Sequence, residues 1–165
     1  MPILGIGVTR EYNRPPSKTK DVFWIEATPP YSEVNADPRL IGKWLVYVTL
    51  KQLDESWERI RKATVDGRLG FLSKSATAKK NFMPNVSNRM IIVYTQNYYD
   101  IDEVLAVGRE LNDLGFGITS PIYYETDDAR YAHRHVVKGD SKISLYRCLK
   151  GRFWSRDENN SWIEA

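Results

Sequence analysis

The chain is short of several things at once. One cysteine, Cys148, and two histidines, His133 and His135, are spread over 165 residues. A single thiol excludes an internal disulfide framework and a cysteine-rich zinc site, and it suits a reducing compartment. The histidines stand at i and i+2, which on a strand points both the same way, yet no third ligand falls at a metal-binding spacing. No metal and no cofactor are therefore expected. The sequence has neither a Walker loop nor a Rossmann glycine fingerprint, so a nucleotide would have to be held by side chains rather than by glycine-rich backbone. No apolar run approaches the about 20 residues that cross a bilayer. The opening stretch MPILGIGVTREYN lacks the basic start and long apolar core of a signal peptide. A soluble, cytoplasmic protein with no membrane partner is the expectation. No low-complexity tract or domain-sized linker interrupts the chain.

What is present is enough apolar residue for a core, 42% of the total, with ten tyrosines and five tryptophans. The organisation expected is a mobile arm over residues 1–20, where RPPSKTK lies, and a single α+β domain over 21–165. Within that domain two copies of one pattern follow each other. GKWLVYVT (42–49) reads as a strand, LDESWERIRKAT (53–64) as an amphipathic helix and FLSKSATA (71–78) as a strand. RMIIVYTQ (89–96), IDEVLAVGRELNDLG (101–115) and ITSPIYYE (118–125) repeat the order. The succession β-α-β-β-α-β is that of a ferredoxin-like antiparallel sheet with two helices on one face. DVFWIEAT extends it at the N-terminal side; SKISLYR, GRFWSRD and SWIEA read as three short strands at the C-terminal side. Asp100 is placed to cap the second helix, whose apolar stripe is Ile101, Val104, Leu105, Gly108 and Leu111.

Charge is segregated along this pattern. Residues 100–128 hold eight acids and one base, Arg109, whereas residues 130–156 hold eight Lys or Arg and one acid, Asp140. Such a division points to an anion-facing surface. The strand-borne cations are Lys43, Lys74, Arg89, Arg130, Lys142 and Arg147, and guanidinium forks suit phosphate. A lysine base, a cation cluster and a histidine acid (His133 or His135) are the parts that a β-elimination of phosphate would need. Aromatic residues interleaved with these cations, Trp44, Tyr94 and Tyr131 among them, could instead stack a base, although core packing is the ordinary role of such a tryptophan. Cys148 stands between Arg147 and Lys150, neighbours that lower a thiol pKa.

GKWLVYV, WERIRKATVDGRLGFLSKSATA, MIIVYT and GF…YYETDDARYA…SKISLYR together resemble the phosphothreonine lyase domain family. That family in turn is similar to uncharacterised eukaryotic proteins with a fold like that of the mRNA-cap-binding translation initiation factor. The resemblance covers about residues 23–147, and GKW, GRLG-x-x-SKSAT and VYT are its most specific parts. It implies Lys43-Trp44 at the start of a Lys-aromatic-His triplet, Lys74 as the base, and Arg89, Arg130 and Arg147 as the phosphate grip. Leu45 stands where the triplet's histidine acid belongs. The function expected is a metal-independent, lysine-initiated lyase acting on a phosphothreonine-like or nucleotide substrate. The alternative is a non-catalytic nucleotide- or RNA-binding module with a basic, aromatic-lined sheet face. The partners implied are a phosphorylated small molecule, peptide or nucleotide, with RNA among them.

Overall fold

A computed structural model describes residues 8–9, 14–30, 35–79, 88–127 and 144–165. Of the residues singled out above, Arg130, Tyr131, His133, His135 and Lys142 lie outside the described residues. The described chain is α+β, with antiparallel strand pairing and two α-helices. Its strands are β1 (Val8–Thr9), β2 (Trp24–Ala27), β3 (Gly42–Thr49), β4 (Leu72–Ala76), β5 (Asn88–Thr95), β6 (Ile122–Thr126), β7 (Tyr146–Leu149), β8 (Arg152–Arg156) and β9 (Trp162–Glu164). The helices are α1 (Leu53–Val65) and α2 (Ile101–Asp113). No helix among the described residues is long and apolar enough to cross a membrane.

The chain, expected as one domain beyond its arm, divides into two compact units, Met1–Val34 with Val46–Val93 and Asn35–Leu45 with Tyr94–Ala165. In the first unit the strand order is β1-β2-β4-β5. β1 and β2 run parallel, and β2 pairs antiparallel with β4, so that Glu26 faces Lys74 across the pair. α1 starts from a T-x-x-Q capping box: Thr49 Oγ1 accepts from the Gln52 amide and Gln52 Oε1 from the Thr49 amide, both at 3.3 Å. Leu53, Trp57 and Ile60, the stripe the sequence indicates, are all buried. Thr64, at the end of the same face, bonds the Ser73 hydroxyl at 2.7 Å and so ties the helix to β4. The stretch 14–20, expected as part of a mobile arm, is tied down. The Ser17 amide and hydroxyl both donate to the Asp54 carboxylate, at 2.8 and 2.5 Å, and the Ala78 amide donates to the Pro16 carbonyl. The Pro15-Pro16 pair fixes that turn at little entropic cost, which a reading of proline as a mobility signal missed.

In the second unit the order is β3-β6-β7-β8-β9, antiparallel throughout. Alternation of side chains divides its strands between two faces. One face carries Trp44, Tyr124, Tyr146, Cys148 and Phe153. The Trp44 ring meets Tyr124 edge-on at 5.3 Å and its Nε1–H donates to the Val104 carbonyl of α2 at 3.0 Å. Asp100 caps α2 as expected, accepting from the Glu103 amide at 3.2 Å. The buried stripe of α2 differs from the expected one: Ile101 is 48% exposed, while Val107 and Asn112 are buried. A polar residue in the stripe hid the true phase of the helix. Asn112 earns its place by hydrogen bonds, donating to the Phe116 carbonyl at 2.7 Å and accepting from the Cys148 thiol and the Gly151 amide.

Gly108 sits on that stripe because there is no room for anything larger. A Cβ there would lie 2.7 Å from Trp44 Cζ2, and the indole is locked by its Val104 bond and its ring neighbours. Alanine would bring about 1 kcal/mol of helix propensity, against about 1–3 kcal/mol for overpacking a fixed ring. Gly108→Ala is therefore expected to lower the urea midpoint at unchanged m-value; a gain in stability would show the Trp44 ring free to move.

Candidate phosphate-binding face

Each expected site residue that is described has a clear place. Trp44 and Tyr94 are 0% exposed. Neither offers a face to a stacking base, which corrects their assignment as nucleotide platforms: the apolar run GKWLVYV is a core strand, and its tryptophan packs against α2. Lys74 belongs to the first unit and is buried, its ammonium 4.5 Å from the centre of the Trp24 ring and its strand position opposite Glu26. Arg89, also in the first unit, donates from Nε to the Thr77 carbonyl at 3.0 Å and from a terminal nitrogen to the Asn88 carbonyl at 3.1 Å.

Lys43 and Arg147 lie in the second unit, and strand register puts both on the face opposite the Trp44 cluster. Lys43 pairs with Glu125, Leu45 with Tyr123, and Tyr123 with Arg147. The two cations have different surroundings. Lys43 is buried with its ammonium 3.4 Å from Asp127 and 3.8 Å from Glu125. Two carboxylates around one ammonium leave no positive charge for an incoming phosphate. Lys43 is a structural counter-ion.

Arg147 is the reverse case. It is half-buried, with its guanidinium carbon 4.6 Å from the Trp154 ring centre and 5.1 Å from that of Trp162. Its Nε is buried with no hydrogen-bond partner among the described residues. Register explains the grouping: Arg147 pairs with Trp154, and Arg156 with Trp162, so all share one face. Arg152 stands 5.1 Å from the Trp154 ring and Arg156 3.6 Å from the Trp162 ring. The spatial order is thus Arg152, Trp154, Arg147, Trp162, Arg156. Tyr123 joins its end, 6.2 Å from Trp162 and 36% exposed. The outer arginines have other duties. Arg152 forms a two-pronged pair with Glu164 at 2.6 and 2.7 Å, and Arg156 donates to the carbonyls of Ser144 and Asn160. Sequence reasoning found Arg147 alone. The signal for the others was alternation within R-F-W-S-R and W-I-E, which sends every arginine and tryptophan of the hairpin to one side.

Cys148 points to the opposite face, is 0% exposed, and donates its thiol hydrogen to Asn112 Oδ1 at 3.1 Å. Burial pushes its pKa up to about 11, so the lowering expected from Arg147 and Lys150 does not occur: those side chains leave the strand on the other side or from the turn. Among the described residues no three metal-capable side chains cluster.

Native protein at pH 8 is expected to resist iodoacetamide at Cys148 and to react stoichiometrically in urea, read by mass; rapid native alkylation would show the thiol exposed or activated. Lys43→Met would leave two buried carboxylates facing each other and is expected to cost about 3 kcal/mol or more. Adding Glu125→Gln and Asp127→Asn should restore part of that loss, measured by chemical denaturation. No restoration would mean that the ion triad is not what Lys43 serves.

No curated protein matches the chain. Among solved structures it is similar to the C. elegans eIF4E-3 in complex with the 4E-binding protein Mextli and a cap analog, with 19% identity and a TM-score of 0.48 over 64% of this chain and 60% of that one. It is also similar to Ascaris suum eIF4E-3 in complex with an m7G cap, with 19% identity and a TM-score of 0.44 over 61% and 57%. A schistosome eIF4E complexed with m7GpppA and 4E-BP gives 17% and 0.46 over 64% and 57%. The chain thus spans about three fifths of each of these proteins. Nothing in these similarities supports the phosphothreonine lyase family that the motifs resemble. Residues 36–133, more than half of the chain, match the family described as basophilic leukemia-expressed protein Bles03, and the chain belongs to that family.

Proposed function

We propose that this protein is a non-catalytic binding module for a phosphorylated ligand, a nucleotide or RNA, held on the basic, aromatic-lined face of β6 to β9. It would work in the cytoplasm and need no cofactor. The observation that carries this is Arg147. A guanidinium has five N–H donors in a rigid fork, and this one is stacked beside two indoles with its buried Nε left without a hydrogen-bond partner among the described residues. A half-buried cation left so is costly unless a ligand completes it. A phosphate does so with two parallel charge-assisted bonds. The ferredoxin-like arrangement, with both helices on one face of the sheet, belongs to the same proposal and is supported by the succession β3-α1-β4-β5-α2-β6.

Lysine-initiated elimination is a second reading, favoured by one observation: Lys74, at the position the resemblance gives to the base, is buried against Trp24 rather than solvated. Against it stands the place of Lys74 in the strand pair, where it faces an acid, Glu26, as a structural lysine would.

Two measurements test these readings together. Titration with ATP, GTP and short RNA should quench tryptophan emission, because Trp154 and Trp162 flank the guanidinium. Arg147→Ala should weaken binding about tenfold or more, and Lys74→Ala should not. Incubation with phosphothreonine peptides should leave their mass unchanged. A product lacking phosphoric acid, lost on Lys74→Ala, would replace the binding function with the lyase.

A further inference from the structure

From the same face, and resting on the binding function just proposed, we infer that the ligand is recognised through a run of successive phosphates and that its base is not read. The sheet face was expected to divide the work, cations for phosphate and aromatics for the base. The geometry does not allow that division. Trp154 has Arg147 at 4.6 Å and Arg152 at 5.1 Å from its ring centre, and Trp162 has Arg156 at 3.6 Å and Arg147 at 5.1 Å. Each indole therefore already holds two guanidinium groups against its π system, an arrangement that satisfies the ring electrostatically. A base stacking on either ring would have to displace an arginine and forfeit that attraction. The indoles serve as spacers that hold three like charges in a row at close range.

Holding like charges together costs free energy in the free protein, and the cost is returned when anions arrive. Arg152 is partly neutralised by Glu164, and Arg156 keeps one hand on the carbonyls of Ser144 and Asn160. Arg147, at the centre, has a buried Nε with no hydrogen-bond partner among the described residues. The row is thus graded: one strong central grip and a weaker one on each side. A single phosphate satisfies only the centre. A chain of phosphates, whether the tail of a nucleoside triphosphate or the backbone of a single-stranded nucleic acid, engages the flanks as well. Tyr123, the one exposed ring at the end of the row, is a single site and carries no sequence information, since every base has a π face.

The test uses the full chain and a panel read by tryptophan emission and by calorimetry: inorganic phosphate, tripolyphosphate, ATP, CTP, UTP, unphosphorylated adenosine, and octamers of U and of A. Tripolyphosphate and the three triphosphates are expected to bind within about threefold of one another, and inorganic phosphate about tenfold more weakly. Adenosine should not bind. The octamers distinguish the two sources: tighter binding than the triphosphates, with a log–log salt slope near −2 for about three phosphate contacts, assigns the row to a nucleic-acid backbone, and equal or weaker binding assigns it to a nucleotide tail. Arg147→Lys, which keeps the charge and loses the planar fork, should lose most of the affinity while leaving the melting temperature close to that of the parent. A preference above about tenfold for one base, or binding of adenosine, overturns base-indifference and leaves the phosphorylated-ligand function standing. Absence of binding across the whole panel overturns both. An Arg147→Lys protein that binds normally shows the row to be a staple of the hairpin and overturns the inference.

Discussion

Tyr123 and Tyr124 are neighbours in the chain and end on opposite sides of a sheet, because a strand cannot send consecutive side chains the same way. The whole second unit depends on that constraint. Tyr124 goes inward, where Trp44, Tyr146 and Phe153 surround it and its hydroxyl bonds Thr95 at 2.6 Å. Burial raises the pKa of that phenol further above the usual tyrosine range. Tyr123 goes outward to the arginines. The same rule separates Cys148 from Arg147 and Phe153 from Trp154, so one hairpin builds an apolar core on one side and a row of cations on the other from alternating residues. A shift of register by one residue would exchange the two faces entirely. Gly42 and Gly108 admit Tyr124 and Trp44 at distances that no side chain would allow.

Three kinds of buried charge recur in the chain and are handled differently. Lys43 is neutralised by two acids, Lys74 shares its surroundings with an aromatic ring and faces an acid across the strand pair, and Arg147 is stacked between rings. Of the three, only Arg147 has a buried side-chain nitrogen without a hydrogen-bond partner among the described residues. The distinction follows from the head groups. An ammonium is a compact, strongly hydrated charge that needs anions when buried, while a guanidinium is weakly hydrated across its faces and can lie against an indole with its edge still available. This is why the two lysines that looked most like catalytic or phosphate-gripping residues in the sequence are integrated into the fold, and an arginine is not.

Much of the fold was legible. The helix stripe Leu53, Trp57 and Ile60, the Asp100 cap and the three short C-terminal strands each carry a local signal that tertiary structure had no reason to override. Less of the site was. Strand membership says that Trp44 is on a strand but not which face is covered, so its role as core rather than platform could not be read from GKWLVYV. Arg152, Trp154, Arg156 and Trp162 were visible as alternating letters, yet their meeting with Arg147 depends on the register of two successive hairpins, β7–β8 through the turn at Lys150 and Gly151 and then β8–β9. Asn112 was not singled out, because half of its value lies in hydrogen bonds to Cys148 and Gly151, far along the chain. Membership in the Bles03 family covers residues 36–133 and so stops short of Arg147 and its tryptophans.

That asparagine also sets how the molecule would age. Its carboxamide donates to the carbonyls of Phe116 and Gly117 while accepting from Cys148 and Gly151. Deamidation to aspartate would keep the acceptor side and turn the donor side into a second acceptor, aimed at two carbonyl oxygens in a buried site. The lost donor and the repulsion would loosen the join between the end of α2 and the β7–β8 turn, and with it the strand that carries Arg147. One slow hydrolysis in the interior would thereby blunt the charged row on the opposite surface, without touching any residue of it.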